Sequence, residues 1–307
     1  MTFITHFAML KATQRVEHIG QYVTDDGKEK VMKAHIGLLD WIDEVGYLMK
    51  AFATRYPFLF AAAVSLTGVL SMLWPFWVPG LSTTTQILLA RVSVLVIAVG
   101  LLTTLHWWRE AGFVKLSSWR VTLPYLPLAC LWVLPSLLSL ITGGVRVTDL
   151  GLILFGCASY LAGAFFEEAI FRGVVLRALL PGGLLRANLL AATLFATVHL
   201  AGLAVGADPT AAALQWAYTW LFGFAAVAAL AYARNIWPLV VIHFLANYCG
   251  YLASGDFFNT AAVTPSQILM AMIIMTPATL YGFWLLRRAG RRQVEPVSAH
   301  TSAMQQP

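Results

Sequence analysis

The sequence predicts an all-α fold: a polytopic membrane bundle of about eight transmembrane helices, preceded by a cytoplasmic or interfacial helical segment. Three observations predict it. Of 307 residues, 59% are hydrophobic and 11% charged, with a mean hydropathy of +0.74, which is more apolar surface than a soluble core of that size hides. From Pro57 onward, apolar stretches alternate with short breaks, and each is close to the ~20 residues that cross a bilayer at about 1.5 Å per residue. Lys and Arg collect at the flanks of those stretches rather than in a dense patch, so the net charge of +6 reads as membrane topology and not as nucleic-acid binding.

Residues 1–56 hold half of all Asp and Glu and seven of the twenty basic residues. This part is expected to be soluble or interfacial. Within it Leu38, Trp41, Ile42, Val45, Leu48, Met49 and Phe52 recur at helical spacing opposite Lys33, Asp40, Asp43, Glu44 and Lys50. That amphipathic helix either lies on the membrane surface or packs beneath the membrane domain. No basic start followed by an apolar run and a small-residue site opens the chain, so no cleaved signal is expected.

The membrane domain is expected over residues 57–290, with its core over 150–250. Spans are placed near 57–78, 86–106, 123–142, 150–180, 187–205, 210–233, 236–254 and 265–286, the fourth long enough to extend past the bilayer. With both termini cytoplasmic, the inner segments carry Arg109, Lys115 and Arg120, then Arg177 and Arg186, then Arg234, then Arg287, Arg288, Arg291 and Arg292, and the outer loops hold only Arg146. The lipid bilayer is thus a partner of the chain, and in a prokaryote the plasma (inner) membrane is expected. Residues 291–307 are expected to form a polar, disordered cytoplasmic tail. Cys130, Cys157 and Cys249 are far apart, within apolar segments and without a C-x-x-C pair, and read as ordinary helix residues.

An ionisable group at membrane depth costs at least a few kcal/mol, so each one calls for a reason. The spans contain few: Arg91 on the second, Glu167, Glu168 and Arg172 on the fourth, His199 on the fifth and His243 on the seventh. Glu168 and Arg172 are four residues apart and can pair along one face. Glu167 points about a quarter-turn away, toward a different cavity. Phe195 shares a face with His199, and His243 with Asn247. Counted inward from the cytoplasmic side, Glu167, His199 and His243 meet near one depth. A catalytic site and an interhelical polar network are both readings of these residues. Arg91 has no assigned role.

The three patterns Glu167-Glu168-x-x-x-Arg172, Phe195-x-x-x-His199 and His243-x-x-x-Asn247 occur in order on apolar helices. Together they resemble the motifs of the CAAX-protease and bacteriocin-processing (Abi) intramembrane endopeptidases, over about residues 150–250. The resemblance implies hydrolysis of a peptide bond in a membrane-associated peptide or protein. It implies that Glu167 with His199 activates water, that His243 with Asn247 stabilises the oxyanion, and that Glu168 and Arg172 orient or tune the site. Eukaryotic relatives remove the tripeptide after a prenylated cysteine. The chemistry is consistent: amide hydrolysis in a low-dielectric site needs a base for water and donors aimed at the developing charge, and Asn247 and His243 both carry donors.

No cofactor is expected. Zinc is the alternative, because two histidines and a glutamate can bind it with one position open for water, although no H-E-x-x-H occurs. "LASGD" at Leu252–Asp256 lacks the first glycine of both G-x-S-G and G-x-G-D, which argues against serine and paired-aspartate mechanisms. A second class is non-catalytic: a scaffold, an immunity protein or a proton relay.

Overall fold

The computed structural model describes residues 26–257 and 265–294. Among the described residues every regular element is helical. The chain divides into two compact units, residues 1–48 and 49–307. Helix α1 (Asp26–Arg55) begins in the first and ends in the second; it contains the expected amphipathic stretch, and Trp41 and Leu48 of its apolar stripe are exposed alongside Asp40, Asp43 and Glu44.

The second unit is a helical bundle: α2 (Pro57–Leu73), α3 (Thr83–Thr104), α4 (Leu126–Gly143), α5 (Leu150–Glu167), a π-helical segment (Glu168–Val175), α6 (Leu176–Leu179), α7 (Leu184–His199), α8 (Pro209–Ala233), α9 (Trp237–Ser254) and α10 (Pro265–Val294). Local chemistry starts and stops these helices. Pro57 and Pro209 occupy first-turn positions where no N–H is needed. The Ser82, Asp149 and Asp208 side chains accept from Thr85, Leu152 and Ala211 amides at the N-termini of α3, α5 and α8. Gly255, at φ 73°, ends α9 in the left-handed conformation that glycine adopts without penalty.

Among the described residues, six helical stretches are long and apolar enough to cross a membrane: Pro57–Trp77, Thr83–Thr104, Trp119–Gly143, Leu150–Gly182, Leu184–Ala204 and Pro209–Ala233. They coincide with the first six expected spans. The chain is therefore an integral, multi-pass membrane protein. The seventh and eighth expected spans are the helices α9 and α10, which are not among the six; α9 carries the polar residues His243 and Asn247. Helix α10 runs through Val294, four residues into the expected tail, and the rest of that tail, like residues 1–25, lies outside the described residues. Aliphatic residues such as Leu59, Val96, Ile141 and Leu154 stay exposed on the outer faces, as lipid contact requires.

Small residues set the packing where hydrocarbon lipid supplies no hydrophobic drive between helices. The run Ala225–Ala229 of α8, four alanines around Val227, is buried, and α8 packs against α7 and α10. A Cβ on Gly223 would lie 3.2 Å from Phe195 Cδ1, and one on Gly282 would lie 3.0 Å from Ala225 Cα, so both approaches depend on glycine. Helix α9 packs on α4 and α5, and α3 on α5. These contacts gather the π segment, α7 and α9 around one cavity.

Candidate active site

The fourth span bends its geometry where the acids sit. Helix α5 ends at Glu167, and the next eight residues wind as a π-helix, all of them buried. Such segments widen the turn and are common at functional sites. Glu168 is fully buried, with Oε2 3.2 Å from Arg172 Nε. This contact is a charge pair rather than an aligned hydrogen bond, since neither atom meets hydrogen-bond geometry. The arginine's Nη atoms have no acceptor either. Instead the guanidinium lies 3.9 Å from the Phe195 ring centroid and 5.4 Å from that of Phe222, a cation–π arrangement worth about 2 kcal/mol when desolvated.

Phe195 also meets His199 edge-on, at 4.8 Å between centroids. Its backbone carbonyl accepts from His199 Nδ1 at 2.7 Å. A carbonyl can only accept, so Nδ1 carries the proton, and in the neutral ring Nε2 presents a lone pair. That Nε2 lies 3.7 Å from Glu167 Oε2.

His243, buried on α9, stands between the two glutamates. Its Nδ1 is 2.8 Å from Glu168 Oε1, and its Nε2 is 3.5 Å from Glu167 Oε2. Because Glu168 faces the permanently charged Arg172, its carboxylate accepts and His243 Nδ1 donates. The expected Glu168–Arg172 pair is present, and the link onward to His243 is a connection that residue spacing does not reveal. Glu167 and Glu168 point in different directions, as their adjacency on a helix requires, yet one imidazole reaches both.

A cavity of about 500 Å³ opens on this group. Glu167, His199, Asn247 and Arg91 lie on its wall, along with residues of α2 and the turn after it, including Gly68, Met72 and Phe76. Asn247 is exposed and lines the cavity, whereas His243 is buried and reaches the wall only beside Glu167, with Nε2 3.5 Å from Glu167 Oε2. The structure thus brings Glu167, Glu168, Arg172, His199 and His243 into one connected cluster and puts Asn247 on the adjoining wall. Sequence reading placed Phe195 on the His199 face without a function and missed Phe222; the only signal for either was an aromatic at helical spacing, which packing alone also produces.

Glu167 Oε2 and the Nε2 atoms of His199 and His243 are the atoms that could hold a metal. Among the described residues, however, no group of three His, Cys, Asp or Glu is disposed as a metal site.

No curated protein matches the chain. Residues 149–249, the segment that contains all seven motif residues, match the family model described as "Type II CAAX prenyl endopeptidase Rce1-like". Through that segment, the chain is similar to the Rce1-like endopeptidases, and its six candidate spans place the matched segment in an integral membrane protein.

Proposed function

We propose that the chain is an intramembrane endopeptidase of glutamic type that processes a membrane-associated, CAAX-like substrate, with Glu167 and His199 as the water-activating pair. One observation carries this reading: a carboxylate and an imidazole nitrogen lie 3.7 Å apart on the wall of a cavity. That gap is too long for a direct hydrogen bond and short enough for one water to bridge at about 2.8 Å from each. The bridging water gives a proton to Glu167, aided by His199, and its oxygen attacks the scissile carbonyl carbon. The resulting oxyanion accepts from the Asn247 side-chain amide and from His243 Nε2. Since His243 Nδ1 already donates to Glu168, Nε2 donates only when the ring is an imidazolium, and Glu168 stabilises that form as the acid of a catalytic triad does. The proton held by Glu167 then passes to the leaving nitrogen as the C–N bond breaks, giving a carboxylic acid and an amine, between which the acid proton then transfers, and restoring the site.

The distribution of basic residues supports a cytoplasmic location for both termini and an active site in the cytoplasmic half of the bundle. A second reading is favoured by one detail. With both Nδ1 atoms engaged, the neutral rings aim two Nε2 lone pairs at one carboxylate oxygen, at 3.5 and 3.7 Å, near the ~3.3 Å edge of a tetrahedral zinc site.

Cleavage of a membrane-peptide library by the purified protein in detergent separates these readings, with wild type beside Glu167→Gln and each with and without chelator. Loss in the variant and indifference to chelator support the glutamate mechanism. Loss with chelator puts zinc first. Equal cleavage by wild type and variant overturns both.

A further inference from the structure

Two arginines lie deep in the bundle, and their surroundings differ. Arg172 has a carboxylate and two aromatic faces. Arg91, on α3 and eight residues beyond its start, lies about 12 Å along the helix. Among the described residues it forms no ion pair, and its Nε is buried without a hydrogen-bond partner. The guanidinium nevertheless has a fitted seat. Phe257 lies with its ring centroid 5.9 Å from Arg91 Cζ, and a Cβ on Gly163 would come within 3.1 Å of Nη1. The glycine lets the head group rest against α5 without a side chain crowding it. Its head lies on the cavity wall shared with Glu167, His199 and Asn247.

A fixed cation in a membrane cavity costs several kcal/mol unless a counter-ion offsets it. Glu167 acts on Arg91 electrostatically but forms no ion pair with it within 4 Å. The counter-ion is therefore sought in what enters the cavity. Gly163 lies one turn before Glu167, so the guanidinium rests about 6 Å along the α5 axis from the proposed base. A three-residue leaving peptide spans up to about 10 Å when extended. A carboxylate at its end would reach Arg91 while the scissile carbonyl stands at Glu167, and a planar guanidinium binds a carboxylate through two parallel hydrogen bonds.

We propose that Arg91 binds the free C-terminal carboxylate of the peptide substrate, which fixes the cleavage point a short, set distance from the chain end. This rests on the endopeptidase reading above. Arg91 is then a positioning residue that discriminates a chain terminus from an internal segment.

Binding to full-length Glu167→Gln protein, which does not depend on turnover, tests this directly. The probe is a fluorescent S-farnesyl Cys-Val-Leu-Ser peptide, as free acid and as C-terminal amide, with Arg91 intact, with Arg91→Gln and with Arg91→Lys. With Arg91 intact, the acid should bind at least tenfold more tightly than the amide; the ratio should fall to about one in Arg91→Gln and be partly kept in Arg91→Lys. Removal of an unpaired buried charge should leave the melting temperature of Arg91→Gln at or above that of its parent. An acid-to-amide ratio of one with Arg91 intact, or an equal loss for both peptides in Arg91→Gln, overturns the proposal. A parallel arm in phosphatidylglycerol and phosphatidylcholine nanodiscs distinguishes a lipid phosphate: Arg91-dependent retention of phosphatidylglycerol without acid preference also overturns it. Failure of the endopeptidase reading shows separately, as acid-selective binding to a wild-type protein that cuts nothing.

Discussion

Neutralising Glu168 alone and together with Arg172 separates what the buried pair does for the fold from what it does for the site. At 3.2 Å, two unit charges attract by about 5 kcal/mol at an effective dielectric of 20. Glu168→Gln removes that attraction and leaves Arg172 buried with only its aromatic faces, while relieving the burial cost of the carboxylate. The net expected loss is about 3–5 kcal/mol, as for other broken buried pairs, or a fall of roughly 10 °C in melting temperature. Arg172→Leu should lose a similar amount. The double variant removes both charges and should melt within about 4 °C of wild type, because neither uncompensated ion remains. Its activity should stay low, since His243 Nδ1 no longer faces a charged acceptor. Differential scanning fluorimetry in detergent, followed by peptide cleavage at matched folded concentration, reads both quantities. Additive destabilisation in the double variant, or wild-type activity in it, would refute this reasoning.

Asn247→Ala should lower kcat about 10²–10³-fold, the typical cost of one oxyanion donor, with little change in melting temperature because the side chain is exposed to the cavity; a comparable fall in melting temperature would count against a catalytic role. Protonation of Glu167 or His199 removes the base, so kcat/KM should fall on the acid side with a slope of at least one decade per pH unit, and a pH–rate profile with an acid optimum would contradict the base assignment. Gly156→Ala should cost about 1–3 kcal/mol through overpacking, because its Cβ would come within 2.5 Å of Tyr251 Cε1 between α5 and α9; an unchanged melting temperature would show that α9 shifts freely.

Much of the site was legible because ionisable residues are rare in apolar spans. Glu167, Glu168, Arg172, His199 and His243 announce themselves against a hydrocarbon background. Four-residue spacing correctly paired Glu168 with Arg172. The hydrogen bond from His243 to Glu168 was not legible, since it depends on how α9 packs against the π segment, and nothing in "EAIFRGVV" marks a switch from α to π winding. Phe195 carries Arg172 on its ring and His199 on its carbonyl, but an aromatic at helical spacing looks the same when it only fills space. The first six spans follow from hydropathy alone. Helix α9 shows the limit of that signal, because His243 and Asn247, the residues that give it a place in the site, also make it less apolar.

The most direct test of the account is the single-turnover rate of Glu167→Gln against wild type on one cleaved peptide, in preparations with matching melting temperatures. The glutamine is isosteric and cannot take a proton from water. A rate lower by about 10²–10⁴-fold is predicted, the usual contribution of a positioned base; a rate within tenfold of wild type would contradict Glu167 as that base.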